Sequence, residues 1–370
     1  MRLKSIHSLK ENDQLAKPIY NDEGLILLNA SVKLSASMIN RLHDKGVSFV
    51  YIDDPDTADI FVDDTLSPEV KTKAIKTINK SFKKIGEQLS QGKSIQIDDL
   101  TESFSDVVES ILNSVRSEKD AVTMLSNVMN YDSYVYQHSL SVTVYAVALG
   151  KKAGLNFKQL KELGLGAMLH DVGKMAIPLD VLNKKRKLTD EEFDLIKEHA
   201  EQGFEMLRKS KTLPLLAAHC AFQHHERLDG SGYPRQIKEN EIHLYGKILA
   251  IADVFDAVTS HRVYRSAMLP HEGLALIQAG AGKLFDRKLV ELFQKTVAIY
   301  PVGIEVELSD GRSGVVKKIN QSLPDRPTVK ILKDKDDKAL DEPYDLNLTD
   351  MLNITIVQCE RLIESKSYES

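Results

Sequence analysis

A chain of 370 residues, 42% hydrophobic and 28% charged, carries enough apolar side chain to bury a large core, which excludes a disordered polymer and predicts two or three folded units. Its net charge of −5 and pI near 6.2 leave no basic excess for counterion-driven binding, so no polymeric nucleic-acid partner is expected. Two cysteines, Cys220 and Cys359, suffice neither for a disulfide framework nor for a thiolate metal cage, no apolar run is long enough for a transmembrane segment, and the N-terminal MRLKSIHSLKENDQ has no signal-peptide core; a cytoplasmic protein is expected.

Residues 1–60 read as a small mixed α/β module. Ile19-Tyr20 and Leu25 to Leu28 flank a turn at Asn21 to Gly24 and predict a hairpin, followed by a helix from Ser35 to Lys45 and a strand from Phe49 to Ile52. Residues 61–118 read as a helical connector: from Ser67 to Ser117 the chain is polar, with Ile75, Ile78, Phe82 and Ile85 at helical spacing. Their apolar stripes call for a partner surface, and a homodimer is the expectation. Residues 119–300 form the catalytic candidate, predicted as an all-helical bundle with breaks at Gly154 to Asn156, at Ile177-Pro178 and at the glycines of 230–234. Thr189 with Glu192 is a capping box that places His199 inside a helix. Residues 301–370 read as a β-rich module with strands at Val302 to Leu308, Gly314 to Ile319, Thr328 to Leu332 and Ile354 to Val357. The fold class is therefore mainly α, with a small α+β module before the bundle and a β module after it.

The residues that can carry chemistry lie between His138 and Asp256. His170-Asp171, at the end of a helix from Lys158 to Leu169, offers a metal one nitrogen and one carboxylate, and a carboxylate can bridge two ions. Gly173 permits a sharp exit, and Lys174 supplies a cation suited to a phosphate oxygen; its alternative is a solvated surface lysine. Taken alone, His138, on a helix from Ser133 to Lys152, reads as a core histidine. Asp253 and Asp256 share one face of a very apolar helix, where an unpaired carboxylate is costly; for Asp256 a cap or ion pair is the plain alternative. His224 and His225 are consecutive at a helix end, so helical geometry turns their side chains about 100° apart and suits a site with more than one ion. His7, His43, His219, His243, His261 and His271 fall outside the pattern and read as structural.

Residues from about 131 to 275 resemble the HD-GYP family of bacterial cyclic-di-GMP phosphodiesterases, a subgroup of the HD metal phosphohydrolases. The resemblance is carried by HDVGK at 170–174, HHERLDGSGYP at 224–234 and DVFDAVTSHRVYR at 253–265, and it covers about 40% of the chain. It implies a helical bundle around two divalent metal ions: His138, His170, Asp171 and Asp253 on one, with Asp171 bridging to a second held by His199, His224 and His225. Lys174 and Asp256 would stand just outside, Lys174 assisting the phosphate or the departing oxygen and Asp256 positioning it. Gly232, Tyr233 and Pro234 would line the substrate pocket, and Arg262 and Arg265 would meet the phosphates. Histidine and carboxylate ligation suits iron, manganese, zinc or nickel, with iron or manganese expected. The implied reaction opens cyclic-di-GMP at one 3′–5′ phosphodiester to give pGpG, with a second cut to GMP. Alternatives are another cyclic dinucleotide as substrate, or a receptor that binds cyclic-di-GMP without cutting it.

Three departures from the family pattern stand out. Tyr134 occupies the position where some members carry a glutamate toward a third metal, His261-Arg262-Val263-Tyr264 replaces Asp-Arg-Pro-Tyr, and Arg235-Gln236-Ile237 stands where a glycine-containing turn is common after Gly-Tyr-Pro. None of the three removes an implied ligand.

Overall fold

In the computed structural model, the described residues are 1–359 without 22–24, 63, 94, 96, 116–133, 183, 185, 261–266 and 321. The chain opens with strand β1 (Arg2–Ser5), paired antiparallel with β4 (Phe49–Ile52); β2 (Ile19–Tyr20) and β3 (Ile26–Leu28) form the expected hairpin, and helix α1 (Ala36–Asp44) starts on a Ser35 cap. Residues 22–24 of the predicted turn lie outside the described residues. Leu15, Leu34, Leu42 and Ile52 form a small separate core for this part of the chain.

Helices α2 (Pro68–Ser90) and α3 (Asp98–Ser114) follow. Their apolar stripes face inward. Ile78, Phe82 and Ile85 of α2 and Phe104, Val108 and Ile111 of α3 are fully buried in the same core as the helices that follow, with the Phe82 ring edge-on to Tyr136 at 5.9 Å. The apolar surface expected to meet a second subunit is thus covered within the chain, so these stripes no longer argue for a homodimer.

The central bundle comprises α4 (Tyr134–Lys152), α5 (Phe157–Leu169), α6 (Leu179–Leu182), α7 (Asp190–Leu207), α8 (Leu215–Gln223), α9 (Leu244–Thr259), α10 (Pro270–Ala279) and α11 (Arg287–Gln294). α5 packs on α4 and α8, α9 on α4, and α7 on both α8 and the 3-10 turn at Val172–Ala176. Small residues allow these approaches: a Cβ on Gly166 of α5 would lie 2.4 Å from Cys220 Sγ of α8. Capping boxes at Asn156/Gln159 and Thr189/Glu192 start α5 and α7 by satisfying otherwise orphaned N–H groups. Tyr145, Phe255 and Phe293 meet edge to face at the centre.

The chain ends in a five-stranded antiparallel sheet of order β8-β7-β6-β5-β9, with β5 (Glu305–Leu308), β6 (Ser313–Lys318), β7 (Thr328–Lys333), β8 (Ala339–Asn347) and β9 (Ile356–Cys359). β8 is absent from the predicted strands. It is a largely exposed edge, ALDEPYDLN, whose polar residues and Pro343 are what an unpaired edge tolerates, so the alternating apolar signal is missing. The sheet reaches back to the start of the chain: Leu3 and Phe49 share a core with Val306, Val329 and Ile331, the Leu3 N–H donates to the Gly303 carbonyl at 2.7 Å, and Arg2 pairs with Glu305. Among the described residues no helix is long and apolar enough to cross a membrane.

Because Phe82 belongs to the bundle core, truncating it to alanine should cost about 3–5 kcal/mol and lower the whole urea-unfolding transition. Helical circular dichroism should show one shifted transition; a separate early loss of α2 and α3 would refute their membership of that core.

Candidate metal centre

Three helices and the ends of two more deliver the predicted ligands to one place. His138 stands on α4, His199 on α7 and Asp253 on α9; His170 caps the C-terminus of α5, Asp171 follows it, and His224 caps α8 with His225 beyond. Two groups result, each with ligand atoms within 4.8 Å of one another: His138, His170 and Asp171, and His199, His224 and His225. Asp171 faces both. Its Oδ2 lies 3.5 Å from Nε2 of His138 and of His170, and its Oδ1 lies 3.3 Å from His199 Nε2 and 3.9 Å from His224 Nε2. Asp253 forms a second link, with Oδ1 3.0 Å from His138 Nε2 and Oδ2 3.6 Å from His225 Nδ1.

The tautomers follow from the outer partners. Nδ1 of His170, His199 and His224 donates to the carbonyls of Ala167 (2.6 Å), Ile196 (2.6 Å) and Ala221 (2.9 Å), and Nδ1 of His138 donates to Asp256 Oδ2 at 2.7 Å. A carbonyl only accepts, so each of those three rings carries its proton on Nδ1 and turns an Nε2 lone pair inward. His199 and His224 thus present Nε2 to Nε2 at 3.2 Å, a contact that neutral imidazoles cannot turn into a hydrogen bond. His170 Nε2 and Asp171 Oδ1 are buried with no hydrogen-bond donor. Orphaned lone pairs converging on a carboxylate at this burial are a donor set that fits divalent cations.

Electrostatics point the same way. Burial pushes His170, His199, His224 and His225 down, His199 to about 4, which keeps them in the neutral form that has a lone pair to give. Burial alone would raise the carboxyl of Asp171, but Lys174 and the surrounding imidazoles hold it well below its usual range. At His138 burial opposes protonation, yet hydrogen bonds to Asp253 and Asp256 prevail and lift it to about 9. The carboxylates that draw a proton to His138 draw a divalent cation for the same reason.

Three sequence-based expectations need correction. His224 and His225 do not diverge: His224 ends α8 and His225 has left the helix, so the 100° step no longer applies, and their ring centroids lie 4.0 Å apart within one ligand group. Asp256 does not position Lys174. Its carboxylate is the partner of His138, while Lys174 Nζ donates to Asp171 Oδ2 at 2.5 Å, three residues back on the same turn. Gly173 lies in the 3-10 turn after Asp171, but a close approach and not its backbone angle calls for glycine: a Cβ there would fall 2.0 Å from the His199 carbonyl oxygen and 2.6 Å from the Gly203 nitrogen. The HDVGK turn thereby touches the backbone that carries His199.

Gly232 plays the corresponding part in the Gly-Tyr-Pro loop, where a Cβ would sit 2.4 Å from the His225 carbonyl oxygen and 2.5 Å from the Arg227 nitrogen. The Tyr233 ring lies 4.5 Å from the His225 ring, the Tyr233–Pro234 peptide is cis, and Phe193, half exposed on α7, stands edge-on to Tyr233 at 6.4 Å. Arg262 and Arg265 lie outside the described residues. The sequence suggested no role for Glu226, which is buried beside the candidate ligands; the signal available was an acidic residue directly after two candidate histidines.

Comparison with known proteins adds an independent line. Residues 116–289 match the profile of the HD domain, and residues 305–367 match a KOW domain associated with the HD domain. A cyclic di-GMP phosphodiesterase of Pseudomonas aeruginosa is 37% identical over 227 residues, 61% of this chain and 55% of that protein. A cyclic di-GMP phosphodiesterase of Thermotoga maritima is 38% identical over 178 residues, 48% of each chain. A 3′3′-cGAMP-specific phosphodiesterase of Vibrio cholerae is 36% identical over 178 residues, 48% of this chain and 34% of that one. The matched stretch spans about half the length of these relatives or less.

Asp256→Asn keeps the size of the side chain but lets it present an amide to His138 Nδ1–H. A loss of about 10- to 100-fold in metal affinity is expected, read by metal analysis after equilibration with a chelator series. Gly173→Ala should empty the His199 group first, because its Cβ displaces the backbone of that ligand; an unchanged metal content would contradict the close approach.

Proposed function

The chain belongs to the HD-GYP family of HD-domain proteins, and on that premise we propose that it hydrolyses a 3′–5′ phosphodiester of cyclic-di-GMP to give pGpG, and GMP if the linear product rebinds. The observation that carries the reading is Asp171, whose two carboxylate oxygens face two separate histidine groups. His138, His170, Asp171 and Asp253 would hold one divalent ion and His199, His224 and His225 a second, shared through Asp171, with iron or manganese as the proposed metals. Such ions supply Lewis acidity toward a phosphate oxygen and acidify water at neutral pH.

The chain's own residues set the rest. In the net reaction an oxygen of water bonds to phosphorus, the bond from phosphorus to the 3′-oxygen breaks, and a proton ends on that oxygen. Lys174 Nζ, held at Asp171 and partly exposed, is the cation available to the phosphate charge or the departing oxygen. Asp256 fixes the ring of His138, and the backbone carbonyls of Ala167, Ile196 and Ala221 fix those of His170, His199 and His224, so these four rings are oriented in advance of substrate. Tyr233, with Gly232 and Pro234, would flank the substrate beside His225, and Arg262 and Arg265 would add the positive charge that a dianionic ligand needs. Buried thiols at Cys220 and Cys359 suit a cytoplasmic setting.

A second reading, hydrolysis of a mixed guanine–adenine cyclic dinucleotide, has one specific support in the similarity to the Vibrio cholerae 3′3′-cGAMP-specific enzyme. A receptor without activity has none: such a protein has no use for a complete set of inward-facing lone pairs.

Protein purified anaerobically and supplied with iron or manganese should convert cyclic-di-GMP to pGpG or GMP, resolved by chromatography beside 3′3′-cGAMP. Asp171→Ala should abolish turnover and lower metal content together. Lys174→Met should keep the metals and lower kcat by about 10²-fold or more; full activity in that variant would remove Lys174 from the mechanism.

A further inference from the structure

The Gly-Tyr-Pro loop is tied at both ends to the backbone that carries the metal ligands. At its start the Tyr233 N–H donates to the His225 carbonyl at 3.2 Å. At its far end stands Glu226, the residue after His225, which is 1% exposed. Its Oε1 accepts the Arg235 N–H at 2.9 Å and its Oε2 the Ile237 N–H at 3.2 Å. Between those two amides Gln236 has φ 56°, the left-handed region that glycine enters freely and glutamine does not. The Arg235 guanidinium lies over the Phe222 ring at 4.6 Å, and that ring stacks on Phe204 at 4.5 Å. This is the stretch where the sequence has Arg235-Gln236-Ile237 in place of a glycine-containing turn.

We propose that Glu226 is a positioning residue for substrate binding: by clamping the amides on either side of Gln236 it imposes a glycine-like turn without a glycine, and so fixes the Gly-Tyr-Pro loop against His225. A carboxylate desolvated to this degree has a strong preference for keeping both N–H donors. Because the clamp and the ligand His225 are adjacent in the chain, the loop and the metal centre share one rigid frame. Replacing the carboxylate by an amide leaves one acceptor and sets an NH2 against the second N–H, which frees residue 236 to return to the right-handed or extended regions. The inference rests on the reading of this site as a cyclic-dinucleotide phosphodiesterase centre.

The test compares the full-length, metal-loaded protein with Glu226→Gln, Gln236→Val and the double variant Glu226→Gln/Gln236→Gly. Amide hydrogen exchange over 233–237 should accelerate in Glu226→Gln by about tenfold or more, with metal content unchanged. KM for cyclic-di-GMP should rise about tenfold with kcat within about twofold, while hydrolysis of bis(p-nitrophenyl) phosphate, which has no bases for the loop to meet, stays at the parent rate. Gln236→Gly in the double variant should recover most of the KM. Gln236→Val, a β-branched residue at an exposed position that resists positive φ, should raise KM in the same way and remains informative if Glu226→Gln does not fold. Unaltered exchange in Glu226→Gln, an unchanged KM despite faster exchange, a neutral Gln236→Val, or metal loss with equal damage to both substrates would each overturn the proposal. If the parent protein cuts the base-free ester and not cyclic-di-GMP, the functional reading falls, and the exchange data still decide the clamp.

Discussion

Everything in the bundle answers to one constraint: the imidazoles and carboxylates gathered around Asp171 have been taken out of water with their lone pairs aimed at each other. His170 Nε2 and Asp171 Oδ1 find no donor, and His199 faces His224 nitrogen to nitrogen. A core of hydrocarbon would hold such a cluster only at considerable cost, and a cluster of this polarity would not assemble from five helices unless most of its rings were fixed from behind. The carbonyls at helix ends and the Asp256 carboxylate provide that fixing, so the ends of α5 and α8, where carbonyls are spare, are where two of the proposed ligands sit. The cations that complete the arrangement would act as part of the fold as well as of the chemistry.

Much of this was legible in the sequence because the chemistry is local. HDVGK, HHERLDGSGYP and the pair Asp253/Asp256 lie in contiguous stretches, and the capping box at Thr189 gave His199 its helix. What escaped was long-range or depended on backbone leaving regular geometry. The rings of His224 and His225 converge because the helix stops between them. Gly173 is dictated by the backbone of residues 199–203, which no local pattern reveals. Asp256 meets His138, on a helix more than a hundred residues earlier, and so its partner could not be read from its own neighbours. The polar β8 strand carries no alternation because nothing buries its outer face.

The two helices before the bundle make the same point in reverse. Their periodicity was plain, but periodicity says only that a face is covered, not by what. Phe82, Ile85, Phe104 and Ile111 are covered by this chain's own central helices, and α2 also packs against the turn that follows His170-Asp171. A segment outside the stretch of proposed ligands therefore leans directly on the candidate centre.

The pairing of the first strand with the last sheet carries a consequence for how the chain comes to be folded. Residues 1–52 have a small core of their own, yet Leu3 and Arg2 find their partners at Gly303, Ile304 and Glu305. On a ribosome that emits the chain from its N-terminus, β1 must leave one flank exposed until about three hundred further residues have emerged, and only then can it meet Gly303 to Glu305. The first module is in that sense built early and docked late, and its docking waits on the synthesis of the strand that receives it.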